Sequence, residues 1–315
     1  MIVSMDVRSA GPGLSRSVSA GVLAGVLLLG LIGLVPATKP AVAAAPQTCV
    51  SNTGNVSGWG YVMAGADGGV FAFGHGQGYE GGLSGKTVSP VVAIVQDRTG
   101  YDYYLVTAAG GVFGFGGAPT TGGTSGEHLS APIVGMALGP AYGSYWLAGA
   151  DGGVFSFGGA PFYGSLGGQH LTSAVVGIAS LGCSDGYWLV TALGKVYAFG
   201  DAPWEGDVSS LHLSAPIVGI VADTDPSTGA QGYLLIGADG GVFSFCGDCF
   251  YGSMGGHHLA APVVGGARSI GGGYWLVGAD GGVFSFGPGA NYYGGMAGMK
   301  LAKPIVGIAQ QYSNR

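Results

Sequence analysis

From residue 58 to residue 309 the hydrophobic positions come in short runs, and glycine separates nearly all of them. Runs such as GYWLVGAD at 273–280 and GGVFSFG at 281–287 carry aromatic and β-branched side chains over a strand's length. Asp280-Gly281 joins them, a strong hairpin signal, because Asp-Gly suits the positive backbone angles of a tight turn. FYGSMGG at 250–256 and PIVGIA at 304–309 predict two further strands. Nowhere beyond residue 44 do apolar residues recur at the spacing of three and four that an amphipathic helix needs.

The pattern repeats. The second aromatic of the VFSF-like run falls at Phe73, Phe115, Phe157, Phe199, Phe245 and Phe286, at intervals of 42, 42, 42, 46 and 41. A second landmark keeps step at Pro90, Pro132, Ala174, Pro216, Pro262 and Pro304, each ahead of a run like PIVGIA. Four strands in about 42 residues, six times over, predict an all-β fold: a six-bladed β-propeller of four-stranded blades. Small residues such as Gly177 in VVGIA suit the innermost strand, where blades crowd at the axis. The first unit opens on its second strand, GYVMAGAD at 60–67, and the last run, PIVGIA at 304–309, has no partners of its own. The C-terminal strand is therefore expected to join the N-terminal blade and close the ring, leaving no unpaired inner edge.

The string GYWLVGADGGVFSFG, followed by FYGSMGG, HL and PVVG, resembles a tandem repeat of exported actinobacterial proteins, found alone or attached to cell-wall hydrolases. The resemblance implies a propeller-like repeat in the envelope or outside the cell, with no settled activity. The turn G-A-D-G-G-V-F also resembles the Asp-box turn of other propellers. Ala109 and Leu193 replace its Asp in two units, so a turn-forming role is favoured over calcium ligation.

The N-terminal segment agrees with export. Arg8 and Arg16 precede an apolar run from Ala20 to Val35, Pro36 ends it, and AVAAA at 41–45 offers a small-x-small cleavage site near Ala43. The run is shorter than a membrane span of about 20 residues. The expected organisation is a signal peptide at 1–43, a tail at 44–57, the propeller at 58–309 and a tail at 310–315.

Of 315 residues 68 are glycine, 48% are hydrophobic and 8% charged. This composition excludes a disordered chain, which needs low hydrophobicity, and the glycines lack the three-residue period of collagen. After residue 43 seven Lys plus Arg face fifteen Asp plus Glu, a net charge of −8. Such a balance argues against nucleic acid, which requires a basic face.

Four cysteines in an exported chain suggest disulfides, and three pairings are possible. Cys246-x-x-Cys249 stands where the copy at 149–164 has Gly158 and Pro161. A redox reading lacks the helix N-terminus that lowers a thiol pKa. A zinc reading with His257 and His258 lacks convergence, since a strand about 17 Å long would part the ligands. A local Cys246–Cys249 disulfide remains, which leaves Cys49 to pair with Cys183.

Four residues before each strand-leading landmark stand Lys86, His128, His170, His212, His258 and Lys300. These six are the candidate ligand-binding residues, a ring that would gain charge in the physiological pH range and dock an anionic polymer. GCSDG at 182–186 matches G-x-S-x-G, but Ser184 falls between two strands rather than on a strand-to-helix elbow. ADTDPSTGAQG at 222–232, four residues longer than its counterparts, reads as a solvated acidic turn because no later carboxylate completes a calcium loop. Tyr145-Trp146, Tyr187-Trp188 and Tyr274-Trp275 would each place one ring in the core between sheets.

The expected function is binding or scaffolding in the cell envelope, on a monomeric secreted module without cofactor or metal. Its partner would be a cell-wall polysaccharide or an envelope protein. The alternative is an exported hydrolase or lyase with its site at the propeller axis.

Overall fold

A computed structural model describes residues 59–312 apart from 75–77, 87, 182–184 and 270. The expected signal peptide, Cys49, Cys183 and Ser184 lie outside the described residues.

The described chain forms eighteen strands in six antiparallel sheets of three. The first sheet pairs β1 (Trp59–Gly65) with β2 (Val70–Gly74) on one side and β18 (Ile305–Tyr312) on the other. The second holds β3 (Val91–Gln96), β4 (Tyr103–Thr107) and β5 (Val112–Phe115), and the third β6 (Ile133–Leu138), β7 (Tyr145–Gly149) and β8 (Val154–Phe157). The fourth holds β9 (Val175–Ala179), β10 (Gly186–Thr191) and β11 (Val196–Gly200), and the fifth β12 (Ile217–Thr224), β13 (Gln231–Gly237) and β14 (Val242–Phe245). The sixth is β15 (Val263–Arg268), β16 (Tyr274–Gly278) and β17 (Val283–Phe286).

The PIVGIA-like runs are β3, β6, β9, β12, β15 and β18, and they neighbour one another in that order, with β18 beside β3 again. Each pairing of such a strand with the middle strand slips by one residue near its start, for example between Val175 and Gly177 opposite Thr191 and Val190. A bulge of this kind adds twist where the strands converge. The alanine after each middle strand links neighbours: Ala150 N–H donates to Pro132 and its carbonyl accepts from Val175 N–H, both at 2.9 Å.

Middle strands are buried on both faces, β7 and β10 along their whole length, so they read as continuous apolar runs. Adjacent aromatic residues therefore enter two different cores. Tyr187 packs with Trp146 and Ile178, whereas Trp188 packs with Ile217 and Tyr233. Both rings of each Tyr-Trp pair are core residues, where one of each had been expected.

The FYGSMGG segments are not strands, so each sheet has three strands rather than four. Their central glycines, Gly81, Gly122, Gly164, Gly206, Gly252 and Gly294, have φ between 120° and 143°, a region other residues scarcely enter. Their backbone groups are engaged by the neighbouring sheet instead of a strand ladder. Tyr187 Oη donates to the Gly164 carbonyl at 2.5 Å, Tyr145 to Gly122 at 2.6 Å, and Tyr233 to Gly206 at 2.6 Å. The same hydroxyl accepts the N–H of the residue before the glycine, as from Thr121 to Tyr145 at 3.1 Å.

Candidate functional site

In the Asp-Gly turns one carboxylate oxygen is engaged by the backbone. Gly153 N–H donates to Asp151 Oδ1 at 3.0 Å, Gly241 to Asp239 at 2.9 Å, and Gly282 to Asp280 at 3.0 Å. Where Ala109 and Leu193 replace the Asp, a threonine two residues earlier takes over. Thr107 Oγ1 accepts from Gly111 N–H at 2.9 Å and Thr191 Oγ1 from Lys195 N–H at 3.1 Å. In the Asp-bearing turns that earlier position is glycine, and a Cβ on Gly149 would lie 2.6 Å from Asp151 Oδ1. The two solutions exclude each other sterically, and both serve the turn.

Lys86, His128, His170, His212, His258 and Lys300 are all exposed. They follow short turns that lean on the Asp-Gly hairpins, since Leu166 N–H donates to the Gly152 carbonyl and Met254 N–H to Gly240. Five of the six are equivalent. Lys86 is not: its own N–H closes the turn on Leu83, the part played elsewhere by Glu127, Gln169 and His257. Counting back from Pro90 misplaced it because the first unit is one residue shorter there.

Cys246 and Cys249 are bonded to each other and buried, and the exposed Gly247-Asp248 turn between them rests on the loop after β12, where the Asp248 N–H donates to Asp225 Oδ2 at 3.2 Å. The two carboxylates of ADTDPSTGAQG are not solvated as expected, although residues 226–230 are exposed. Asp223 and Asp225 are 4% and 6% exposed. Asp223 forms an ion pair with Arg268 on the neighbouring β15. Burial pushes the Asp223 carboxyl up, against the pull of Arg268 and the Thr224 N–H. Asp225 is held well below the usual carboxylate range by the Ser227 hydroxyl and the Thr228, Ser227 and Asp248 amides. One Asp223 oxygen and the two sulfurs lie within 4.8 Å of one another. Sulfurs joined in a disulfide are not thiolates, so this trio is no metal centre in the present state.

The Cys turn also compensates a missing bond. In the third, fourth and sixth sheets a tryptophan Nε1–H fixes the corresponding carbonyl: Trp146 to Pro161, Trp188 to Pro203 and Trp275 to Asn291, at 2.6 to 2.8 Å. In the fifth sheet Leu234 occupies the tryptophan position and Cys249 the proline position. The disulfide holds there what an indole holds elsewhere.

One set of side chains escaped the sequence reading. Two residues before each φ-positive glycine stand Tyr79, Phe162, Trp204, Phe250 and Tyr292, between 52% and 63% exposed, with Thr120 in the second unit. In sequence they look like strand aromatics. Only the loss of the fourth strand reveals that they point outward.

No family model matches the chain, and no curated protein does. Among solved structures, a chain of a nidogen/laminin complex superposes with a TM-score of 0.54 at 9% identity, covering 82% of this chain and all of that one. A chain of BBS1N in complex with ARL6DN gives 0.42 at 13% identity over 75% and 78%. The first likeness shows the fold, a β-propeller, and at that identity nothing more.

Proposed function

We propose that the protein is a secreted or envelope-associated propeller that binds a cell-wall polymer or a protein partner on one face, in a closed six-bladed ring. The observation that carries this reading is the set His128, His170, His212, His258 and Lys300, repeated at one backbone position and left exposed in every case. A ring of cationic and titratable groups presents many weak contacts to one extended partner, and their sum sets the affinity. Ring closure is supported by the pairing of β18 with β1 and by its proximity to β3. The nidogen/laminin assembly is a case of a similar fold within a protein complex.

The test is retention of the mature protein on purified cell-wall fractions at pH 5.5 and 7.5. Retention is expected on at least one fraction, and is expected to fall when the four histidines are changed to alanine together. Absence of retention on every fraction, with no protein partner recovered by crosslinking on intact cells, would overturn the reading.

A further inference from the structure

We propose that Tyr79, Phe162, Trp204, Phe250 and Tyr292 form a second binding surface, on which a neutral polysaccharide chain stacks its sugar rings. This goes beyond the His/Lys face and rests on the binding-module reading only for the expectation of a partner outside the cell.

Three observations carry it. The first is exposure without a packing role, since none of the five belongs to a core cluster or to the side chains packed against one. The second is that an aromatic ring recurs at this position in five of the six units although its identity changes. The position is Tyr, Phe, Trp, Phe and Tyr, and the next residue is Glu80, Tyr163, Glu205, Tyr251 or Tyr293. What these five units share, the second having Thr120 instead, is a flat ring, which is the property stacking uses.

The third is rigid presentation. The carbonyl before Trp204 accepts from Trp188 Nε1–H at 2.6 Å, and the amide after it donates to Tyr233 Oη at 3.2 Å. Tyr292 is clamped likewise, through Trp275 at 2.8 Å and Tyr61 at 3.1 Å. Before Phe250 the disulfide does the same work. A ring on so fixed a backbone loses little entropy when a ligand stacks on it.

The occupant follows from the surroundings. Exposed Glu80 and Glu205 adjoin Tyr79 and Trp204, so a polyanion is repelled; single-stranded nucleic acid, which combines stacking with a basic groove, is excluded on the same ground. A protein interface requires a contiguous apolar centre, whereas here five of the six units contribute one such exposed ring each, with Thr120 in the second. Pyranose rings present C–H groups that are attracted to the negative face of an aromatic ring, and adjacent carboxylates accept hydrogen bonds from their hydroxyls. A polymer reaching several rings adds their weak contacts together.

Native gels containing hydroxyethylcellulose, laminarin, soluble starch or galactan test the proposal. At least one is expected to retard the protein, and changing all five aromatics to alanine to abolish retardation with an unchanged melting temperature. Trp204→Ala alone should weaken binding about tenfold. Trp204 is exposed while Trp146, Trp188 and Trp275 are fully buried, so the polysaccharide should shift its emission to shorter wavelength, and Trp204→Phe should remove the shift but keep the retardation. Unchanged migration in all four gels, or retardation kept by the five-alanine variant, overturns the proposal. Wall fractions run in parallel separate the two readings: retention there that survives the five-alanine change and falls with the four histidines belongs to the His/Lys face, while gel retardation alone decides the stacking surface.

Discussion

The Tyr61 hydroxyl donates to the Gly294 carbonyl at 2.5 Å, across 233 residues of sequence. The bond is the counterpart of Tyr145 to Gly122 and Tyr187 to Gly164, but here it ties the first sheet to the segment after the sixth. Tyr61→Phe leaves the Gly294 carbonyl and the Tyr293 amide without this partner, and is expected to cost about 1–2 kcal/mol in denaturant unfolding. Gly294→Ala should cost more, about 3 kcal/mol, because φ is 126° and its Cβ would lie 2.8 Å from the Phe73 ring. A Gly294→Ala variant as stable as the unchanged protein would show that the glycine is dispensable.

The Asp/Thr alternation predicts a rescue. Asp151→Ala should cost about 1 kcal/mol, as the loss of a capping carboxylate does. Gly149→Thr alone should also destabilise, since its Cβ meets Asp151 Oδ1. Combined, the two reproduce the T-A-A-G-G turn at 107–111 and should recover most of the loss. Melting temperatures of the three variants decide it; additive losses would refute the exchange.

Burial pushes the phenols of Tyr61, Tyr103, Tyr233 and Tyr274 up to about 12. An unfolded tyrosine ionises near pH 10, so between about pH 10 and 12 the unfolded chain releases protons that the folded chain keeps. Stability is therefore complete below about pH 10 and is lost as pH rises towards 12. Absorbance at 295 nm and circular dichroism should change together over that range. Ionisation of these phenols near pH 10 with the sheets intact would contradict the assignment.

Cys246→Ser with Cys249→Ser should cost about 2 kcal/mol, the chain-entropy value for so short a loop. The effect should concentrate in hydrogen exchange around Asp248 and Phe250, because the fifth sheet lacks the indole anchor. Non-reducing peptide mapping checks the bond itself.

Asp225 bears on acid stability with the opposite sign to the tyrosines. Its depressed carboxyl contributes stability that is present above the ordinary carboxylate range and is lost as pH falls through the folded value. Asp225→Asn should flatten the acid limb of the stability profile, measured by thermal melts from pH 7 to pH 2.

The spacing of Phe73, Phe115, Phe157, Phe199, Phe245 and Phe286 marks all six sheets, and the phase of the first and last units anticipates that β18 joins β1. Residue spacing carries such information because each sheet uses the same chain length. The missing fourth strand was not legible: FYGSMGG has a strand's composition, and only a tyrosine from the next sheet decides where its backbone groups go. Asp223 escaped for the same reason, since its partner Arg268 is contributed by another sheet. The exposed aromatics, Tyr79, Phe162, Trp204, Phe250 and Tyr292, were hidden by the same segment's strand-like composition.

Because Trp59 pairs with Tyr312, the two ends of the described fold leave side by side from one antiparallel ladder. A force drawing them apart would load the β1–β18 hydrogen bonds one after another, as a zip opens, rather than all at once in shear. The first sheet is thus the mechanically weak seam of the molecule, held from behind by Tyr61 and Gly294.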